Sequence, residues 1–435
     1  MSLKTALFSA VASNWTGEAA LAKRRADIEK ARRRAGSPHL VEYFHQVDDP
    51  YSHLAAQALQ LMADRYAIEL KPWVVGAPED WAAPERALLL DYSRRDAARL
   101  AARAELRFLD PGDQPAKALI AAATAQLAQT RDPAAFLDTA ITLGDALWRG
   151  SAIRTPEGLA ATGLDPAAEV AAGDARRKAL GHFMGGMIHY GGEWYWGVDR
   201  LHFLESRLAD LGVRRIGAPQ AAVYAPPATP RGKAVQPRPG LELHYYLSFR
   251  SPYTYIAAVR ANALAQAYGA ELKLRFVLPM VMRGLPVPPL KSRYFTLDTA
   301  REARRVGVPF GRIADPVGTP VERGYSLLPW AIDQGRGFEF CLSFMRGVWS
   351  EGIDAGSDAG LRRIVERAGL SWSVALPLIG NEDWREAAEA NRLEMIELGL
   401  WGVPCFRVDD VSVWGQDRMW VIEDALIART QDSAD

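Results

Sequence analysis

The sequence predicts an α/β protein made of two domains of one type, each a small mixed sheet with helices on its faces and a helical insertion. Three observations predict it. A strand-like run feeding a Pro-Tyr-Ser or Pro-Tyr-Thr helix start occurs twice; a Trp-Gly-x-Asp-Arg motif closes each half; and a proline-rich stretch separates the two copies. Internal repetition at this scale is a stronger signal than any single motif, because each copy must bury its own apolar face.

Length and composition set the frame. A chain of 435 residues holds two or three domains of ordinary size. With 49% hydrophobic and 24% charged residues it has enough apolar surface to fold without disulfides, which excludes disordered and low-complexity classes. Lys plus Arg equals Asp plus Glu, at 52 each, so no overall field recruits nucleic acid or an anionic membrane, and a small-molecule partner is expected. The two cysteines, Cys341 and Cys405, stand 64 positions apart. That spacing excludes a CxxC redox pair and a cysteine-rich zinc site, and suits the cytoplasm. The short apolar run from Thr5 to Ala12 is too brief and too weakly flanked for a cleaved signal, and no uncharged stretch is long enough to span a bilayer.

The elements follow in order. Residues 1–37 read as an N-terminal helical arm, its segment 16–35 carrying a sparse apolar stripe at Ala20, Leu21 and Ile28. Its basic triplets are interleaved with Glu18, Asp27 and Glu29, which makes a solvated face rather than a nucleic-acid contact. Residues 38–216 form the first domain. VEYFHQVDDPYSHLAAQAL, from Val41 to Leu59, is a strand followed by a helix with Pro near its first turn. Pro84 to His182 is helical in pattern, Met187 to Tyr190 is a strand, and WGVDR at 196–200 precedes a last helix. Residues 217–239, with six prolines, are an extended linker. Residues 240–435 repeat the plan: LHYYLSFRSPYTYIAAVRA from Leu243 to Ala261, a helical block from Thr296 to Leu398, a strand near Pro404 to Val408, and WGQDR at 414–418. The spacing agrees, with 98 positions from Pro50 to Trp148 and 97 from Pro252 to Trp349. Two similar apolar faces in one chain predict that the halves pair as an intramolecular pseudo-dimer.

The order of elements, with SPYTYIAA at 251–258, GLWGVPCFRVDD at 399–410 and WGQDRM at 414–419, resembles the thioredoxin-like fold of the DsbA superfamily. More narrowly it is similar to 2-hydroxychromene-2-carboxylate isomerases and kappa-class glutathione transferases. The resemblance implies two thioredoxin-like domains and a glutathione-dependent, non-redox isomerase or transferase acting on a small conjugated, aromatic carbonyl compound. The alternative is a non-catalytic or glutathione-independent binding protein descended from such enzymes.

Chemistry is expected at the helix starting after Ser251, because the free N–H groups of a first turn favour an anion. Redox relatives place cysteines where this chain has Ser251 and Thr254, so no disulfide can form there. The resemblance implies that Ser251 donates its hydroxyl to a glutathione thiolate. It also implies that Pro404 is the cis-proline of the fold, that the Val403 backbone pairs with the tripeptide, and that Gln416 and Asp417 hold its γ-glutamyl end. Ser251 and Asp417 can equally be helix caps. Cys405 can be a small buried hydrophobe. Lys291, Arg293 and Tyr294 offer a charge and a hydroxyl, or form a solvated loop. Tyr253, Tyr255, Trp330 and Trp349 either line an aromatic pocket or pack the core.

Two departures stand out. The loop RGLPVPPLKSRY, residues 283–294, lacks the asparagine by which the family holds glutathione. In the first half Asp49 replaces the serine and Gly186 the cis-proline, so that copy is expected not to use glutathione. His45, Asp48, Asp49, His53 and His189 fall close together without any ligand spacing that marks a metal site. A serine hydrolase is excluded by the absence of a GxSxG elbow and by His244 being the only histidine of the second half.

Overall fold

The computed structural model describes residue 9 and residues 12–130, 132–154 and 163–431. Most of the apolar run from Thr5 to Ala12, and positions 131 and 155–162 of the first helical block, lie outside them. Two compact units form: one of Arg24–Pro226, the other of Pro227 onward together with the described residues up to Lys23.

Helix α1 (Glu18–Arg34) has no buried residue, as its sparse apolar stripe requires. In the first unit β1 (Leu40–Gln46) leads through α2 (Pro50–Arg65) to β2 (Glu69–Val75). Four helices follow: α3 (Arg86–Ala104), α4 (Lys117–Leu127), α5 (Pro133–Trp148) and α6 (Pro166–Ala179). The hairpin β3 (Met187–Tyr190) and β4 (Glu193–Trp196) precedes α7 (Leu201–Asp210). The second unit repeats the order with β5 (Glu242–Leu247), α8 (Pro252–Tyr268) and β6 (Glu271–Phe276). Its insertion comprises α9 (Pro289–Arg305), α10 (Thr319–Asp333), α11 (Gly337–Arg346), α12 (Asp358–Arg367), the short α13 (Trp372–Ala375) and α14 (Trp384–Glu397). The hairpin β7 (Cys405–Val408) and β8 (Val411–Trp414) leads into α15 (Met419–Gln431).

The two sheets have the same order, β2-β1-β3-β4 and β6-β5-β7-β8. The first pair in each is parallel, joined by a crossover helix, and the other two pairs are antiparallel. Their ends also coincide. The N–H of Gly197 bonds the carbonyl of Gly186 at 2.9 Å, and the N–H of Gly415 bonds that of Pro404 at 2.9 Å. Gly186 therefore occupies in the first sheet the place of Pro404 in the second.

The sequence dictates where α2 and α8 begin. Each opens with Pro at the first helical position, where a missing N–H costs nothing, behind a side chain that caps the turn. A buried tyrosine nine residues earlier ties each helix start to the central strand. Tyr43 Oη donates to the Ser52 carbonyl at 2.5 Å, and Tyr245 Oη to the Thr254 carbonyl at 2.6 Å. β5 is covered on both faces, since all its residues but the first are buried, and the Tyr245 ring stacks on Phe406 at 5.1 Å. Each unit has its own hydrophobic core.

Trp349, expected as a pocket residue or a core residue, is core: its indole N–H donates to the Phe249 carbonyl at 3.0 Å and only 6% of it is exposed. Ala12 packs into the same core, a contact that nothing in the patterning of residues 5–16 announces.

Candidate active site

Ser251 is the N-cap of α8. Its Oγ accepts the Thr254 N–H at 3.2 Å and donates to the Val403 carbonyl at 3.2 Å. The Val403–Pro404 peptide is cis. A single hydroxyl thus joins the positive end of a helix to the loop entering β7. Its proton rests on a carbonyl in this state, and must turn from Val403 to serve an anion at the helix end. Thr254, the other position where redox relatives carry cysteine, is fully buried, its Oγ1 without a hydrogen-bond partner.

Lys291 is brought close to this loop. It is 4% exposed, with its ammonium 5.9 Å from the Phe295 ring and 6.0 Å from the ring of Trp401, two residues before Val403. Burial lowers its pKa to about 8, so it remains mainly protonated at pH 7. Tyr253 donates to Asp298 Oδ2 at 2.8 Å, and its ring meets Phe295 edge-on at 5.9 Å. Arg301 in turn holds Asp298. Tyr294 is buried at the same end of α9. A hydroxyl, a cation and three aromatic rings are therefore assembled near the start of α8 and α9.

Gln416, Asp417 and Cys405 are engaged in contacts of their own. Gln416 is 2% exposed, with its amide engaged at both ends: the oxygen accepts from Arg260, and the nitrogen donates to Glu302 Oε2 at 3.1 Å. Arg260 belongs to the third turn of α8, well past its start. Gln416 is thus built into a buried polar network, and its side chain is committed before any ligand arrives. Asp417 lies 3.4 Å from the buried Arg418 guanidinium. Cys405 is fully buried, its thiol donating to the Gly402 carbonyl at 2.7 Å, and burial pushes its pKa well above the usual range. Cys341 is buried and raised for the same reason. Both thiols stay protonated at neutral pH.

In the first unit Asp49 takes the place of Ser251. Its Oδ2 accepts from the Ser52 N–H at 3.0 Å and the Ser52 hydroxyl at 2.7 Å, and a Cβ added to Gly186 would lie only 3.1 Å from it. Desolvation raises its pKa to about 6 despite the Ser52 hydrogen bonds. A value above the ordinary 3.8 means that the native state binds this proton more readily than the unfolded chain, so stability falls as pH rises from about 4 to 6 and then levels off. Asp49→Asn keeps the cap without the charge. It is expected to raise stability at pH 7 by on the order of 2 kcal/mol and to flatten that slope, as urea unfolding between pH 4 and 7 would show. An unchanged slope would remove Asp49 as its source.

The histidines near Asp49 do not converge. His45 Nδ1 sits 2.8 Å from Tyr43 Oη, His189 lies 3.7 Å from Glu42, and His53 faces Asp145 at 3.3 Å. Sequence reasoning missed Arg260, Asp298 and Glu302. One signal was available: Tyr51 donates to Asp96 at 2.8 Å as Tyr253 does to Asp298, and both pairs are 45 residues apart.

Residues 242–427 match the family of DSBA-like thioredoxin domains. The chain is 24% identical over 199 residues to the 2-hydroxychromene-2-carboxylate isomerase of Pseudomonas putida, covering 44% of this chain and 97% of that protein. Among solved structures, a 2-hydroxychromene-2-carboxylate isomerase is 23% identical with a TM-score of 0.39, covering 44% of this chain and 98% of that one. The cytosolic disulfide reductase DsbM of Pseudomonas aeruginosa, solved with GSH, is 20% identical with a TM-score of 0.32, covering 45% of this chain and 99% of that one.

Proposed function

With residues 242–427 placed among the DSBA-like thioredoxin domains, we propose that the second unit is a non-redox isomerase or transferase for a small conjugated aromatic carbonyl compound of the 2-hydroxychromene-2-carboxylate kind. The observation that carries this reading is the Ser251 hydroxyl, capping α8 and 3.2 Å from the carbonyl that precedes cis-Pro404, where a redox enzyme would hold a thiol. A helix start with a neutral donor stabilises an anion without offering a disulfide.

Glutathione fits one end of this site and not the other. Ser251 and the Val403 backbone suit a thiolate and an extended peptide, whereas Gln416 is already bound to Arg260 and Glu302. When bound, the tripeptide would supply a thiolate that adds reversibly to the conjugated system. The chain's own part is to hold negative charge at the helix start through Ser251. Lys291 offers a partly desolvated cation for a substrate carboxylate, and Tyr253, Phe295 and Trp401 provide aromatic walls. The Gln416 network favours a second reading, a glutathione-independent enzyme or binding protein.

Two measurements separate them. Under the first reading millimolar glutathione raises the melting temperature, and the protein isomerises 2-hydroxychromene-2-carboxylate only in its presence. Isomerisation without glutathione, and no thermal shift, would leave the substrate assignment standing and discard the thiol. No turnover under either condition would overturn the enzyme reading.

A further inference from the structure

A cavity of about 540 Å³ opens in the first unit, away from any residue assigned above to the site at Ser251. It lies between α2, the segment following α3 and the end of α5. Phe108 and Trp148 form its floor, their rings meeting edge to face at 5.3 Å. His53, Arg107, Asp145 and Arg149 supply its polar groups. Apart from its polar groups it is an apolar slot of the size that takes a small planar molecule.

The corresponding place in the second unit carries a larger side chain. There Tyr255 stands for His53 and donates to the Pro309 carbonyl at 2.9 Å, as His53 Nε2 meets the Arg107 carbonyl at 3.0 Å. Ser9 and Thr16 then lie against the neighbouring loops. A Cβ on Gly311 would meet Thr16 Oγ1 at 2.5 Å, and one on Gly352 would meet Ser9 Oγ at 2.7 Å. Ala12 joins the core that contains Trp349. The histidine is smaller than the tyrosine, and the buried indole N–H of Trp148 has no hydrogen-bond partner, whereas that of Trp349 is satisfied.

Charge decides what the cavity takes. Asp145 is shared: its Oδ1 is 3.3 Å from His53 Nε2, and its Oδ2 is 3.1 Å from Arg107 Nε. Asp110 at the edge is taken by Arg94 at 3.1 Å. Arg149 is exposed beside the cavity and acts on Asp145 only through its field. Two guanidiniums against one carboxylate, Asp145, leave the mouth positive beside the aromatic rings.

We infer that this cavity is a second ligand site, binding a small aromatic carboxylate with its ring against Phe108 and Trp148 and its anion at Arg149 and Arg107. Arg→carboxylate hydrogen bonds are charge-assisted and directional, and the ring contacts supply the apolar part.

Titration of the full-length protein with 1-naphthoate, followed by calorimetry, tests the site. Saturable binding is expected, weaker by about tenfold or more in Arg149→Ala and tighter in Asp145→Asn, which removes the competing carboxylate. 1-Naphthalenemethanol, of similar shape without charge, should bind at least about tenfold more weakly than the acid. Lack of saturation at millimolar naphthoate, affinity indifferent to both substitutions, or equal affinity for the alcohol would each overturn the proposal. Arg149 is exposed, so its variant folds normally and the outcome reports on binding.

Discussion

Ser251→Ala is expected to slow isomerisation of 2-hydroxychromene-2-carboxylate by roughly ten- to hundredfold, because a hydrogen bond to a charged group contributes about 1.5–3 kcal/mol. The same change removes the cap of α8 and its tie to Val403, at a cost of about 1 kcal/mol in stability. The two effects separate experimentally. A structural loss lowers the unfolding midpoint and leaves the thiol of bound glutathione unaltered. A functional one raises the pKa of that thiol, read from thiolate absorbance in the ultraviolet across a pH titration. Equal thiol pKa values in wild type and variant would take Ser251 out of the chemistry and leave it a cap. Asp49→Ala serves as the control, since its helix belongs to the other unit; a larger loss there would assign the activity to the wrong half.

The largest loss of stability is expected from Glu302→Ala. Glu302 is 1% exposed and accepts from Arg305 at 2.7 Å and from Gln416 at 3.1 Å, while Gln416 binds Arg260. Desolvation holds the Arg260 pKa down to about 10, with Arg305 adding repulsion and Glu302 supplying the chief opposing attraction. Removing that carboxylate leaves two guanidiniums facing each other in a poorly hydrated place, which costs about 3–5 kcal/mol in comparable buried networks. Urea unfolding of the full chain, with tryptophan fluorescence as the probe, would show the second unit's transition moving to lower denaturant. A loss below about 1 kcal/mol would mean that water reaches the network and compensates it.

The mixed sheets and their helical insertions were legible because repetition announces them: the Pro-Tyr starts, the Trp-Gly-x-Asp-Arg ends and the near-equal spacing between them mark strand order as well as boundaries. Ser251 and Val403 were legible as neighbours for the same reason, one heading a helix and the other preceding a proline before a strand. The partners of Gln416 were not legible. Its place after the second closing Trp-Gly is plain in the sequence, but whether an amide faces a ligand or an arginine depends on side chains such as Arg260 and Glu302, drawn from distant helices. Trp349 and Cys405 show the same limit, since an aromatic ring or a thiol near a site reads alike whether it lines a pocket or fills the core. The cavity beside His53 was hidden for another reason. Its walls come from three separate segments, and one wall residue, His53, is smaller than its counterpart, Tyr255.

The placement of Ser9 at Gly352, of Thr16 at Gly311 and of Ala12 in the core of the second unit bears on the order in which the chain is made. These residues are made before Arg24–Pro226, yet the surface they cover belongs to a unit whose remainder starts at Pro227. At roughly 5–20 residues per second, translation of the intervening first unit takes on the order of ten to forty seconds. Throughout that interval the residues that Ser9, Ala12 and Thr16 cover have not been made. The unit that carries Ser251 is therefore completed only once the chain from Pro227 onward has been made, from segments on both sides of the first unit.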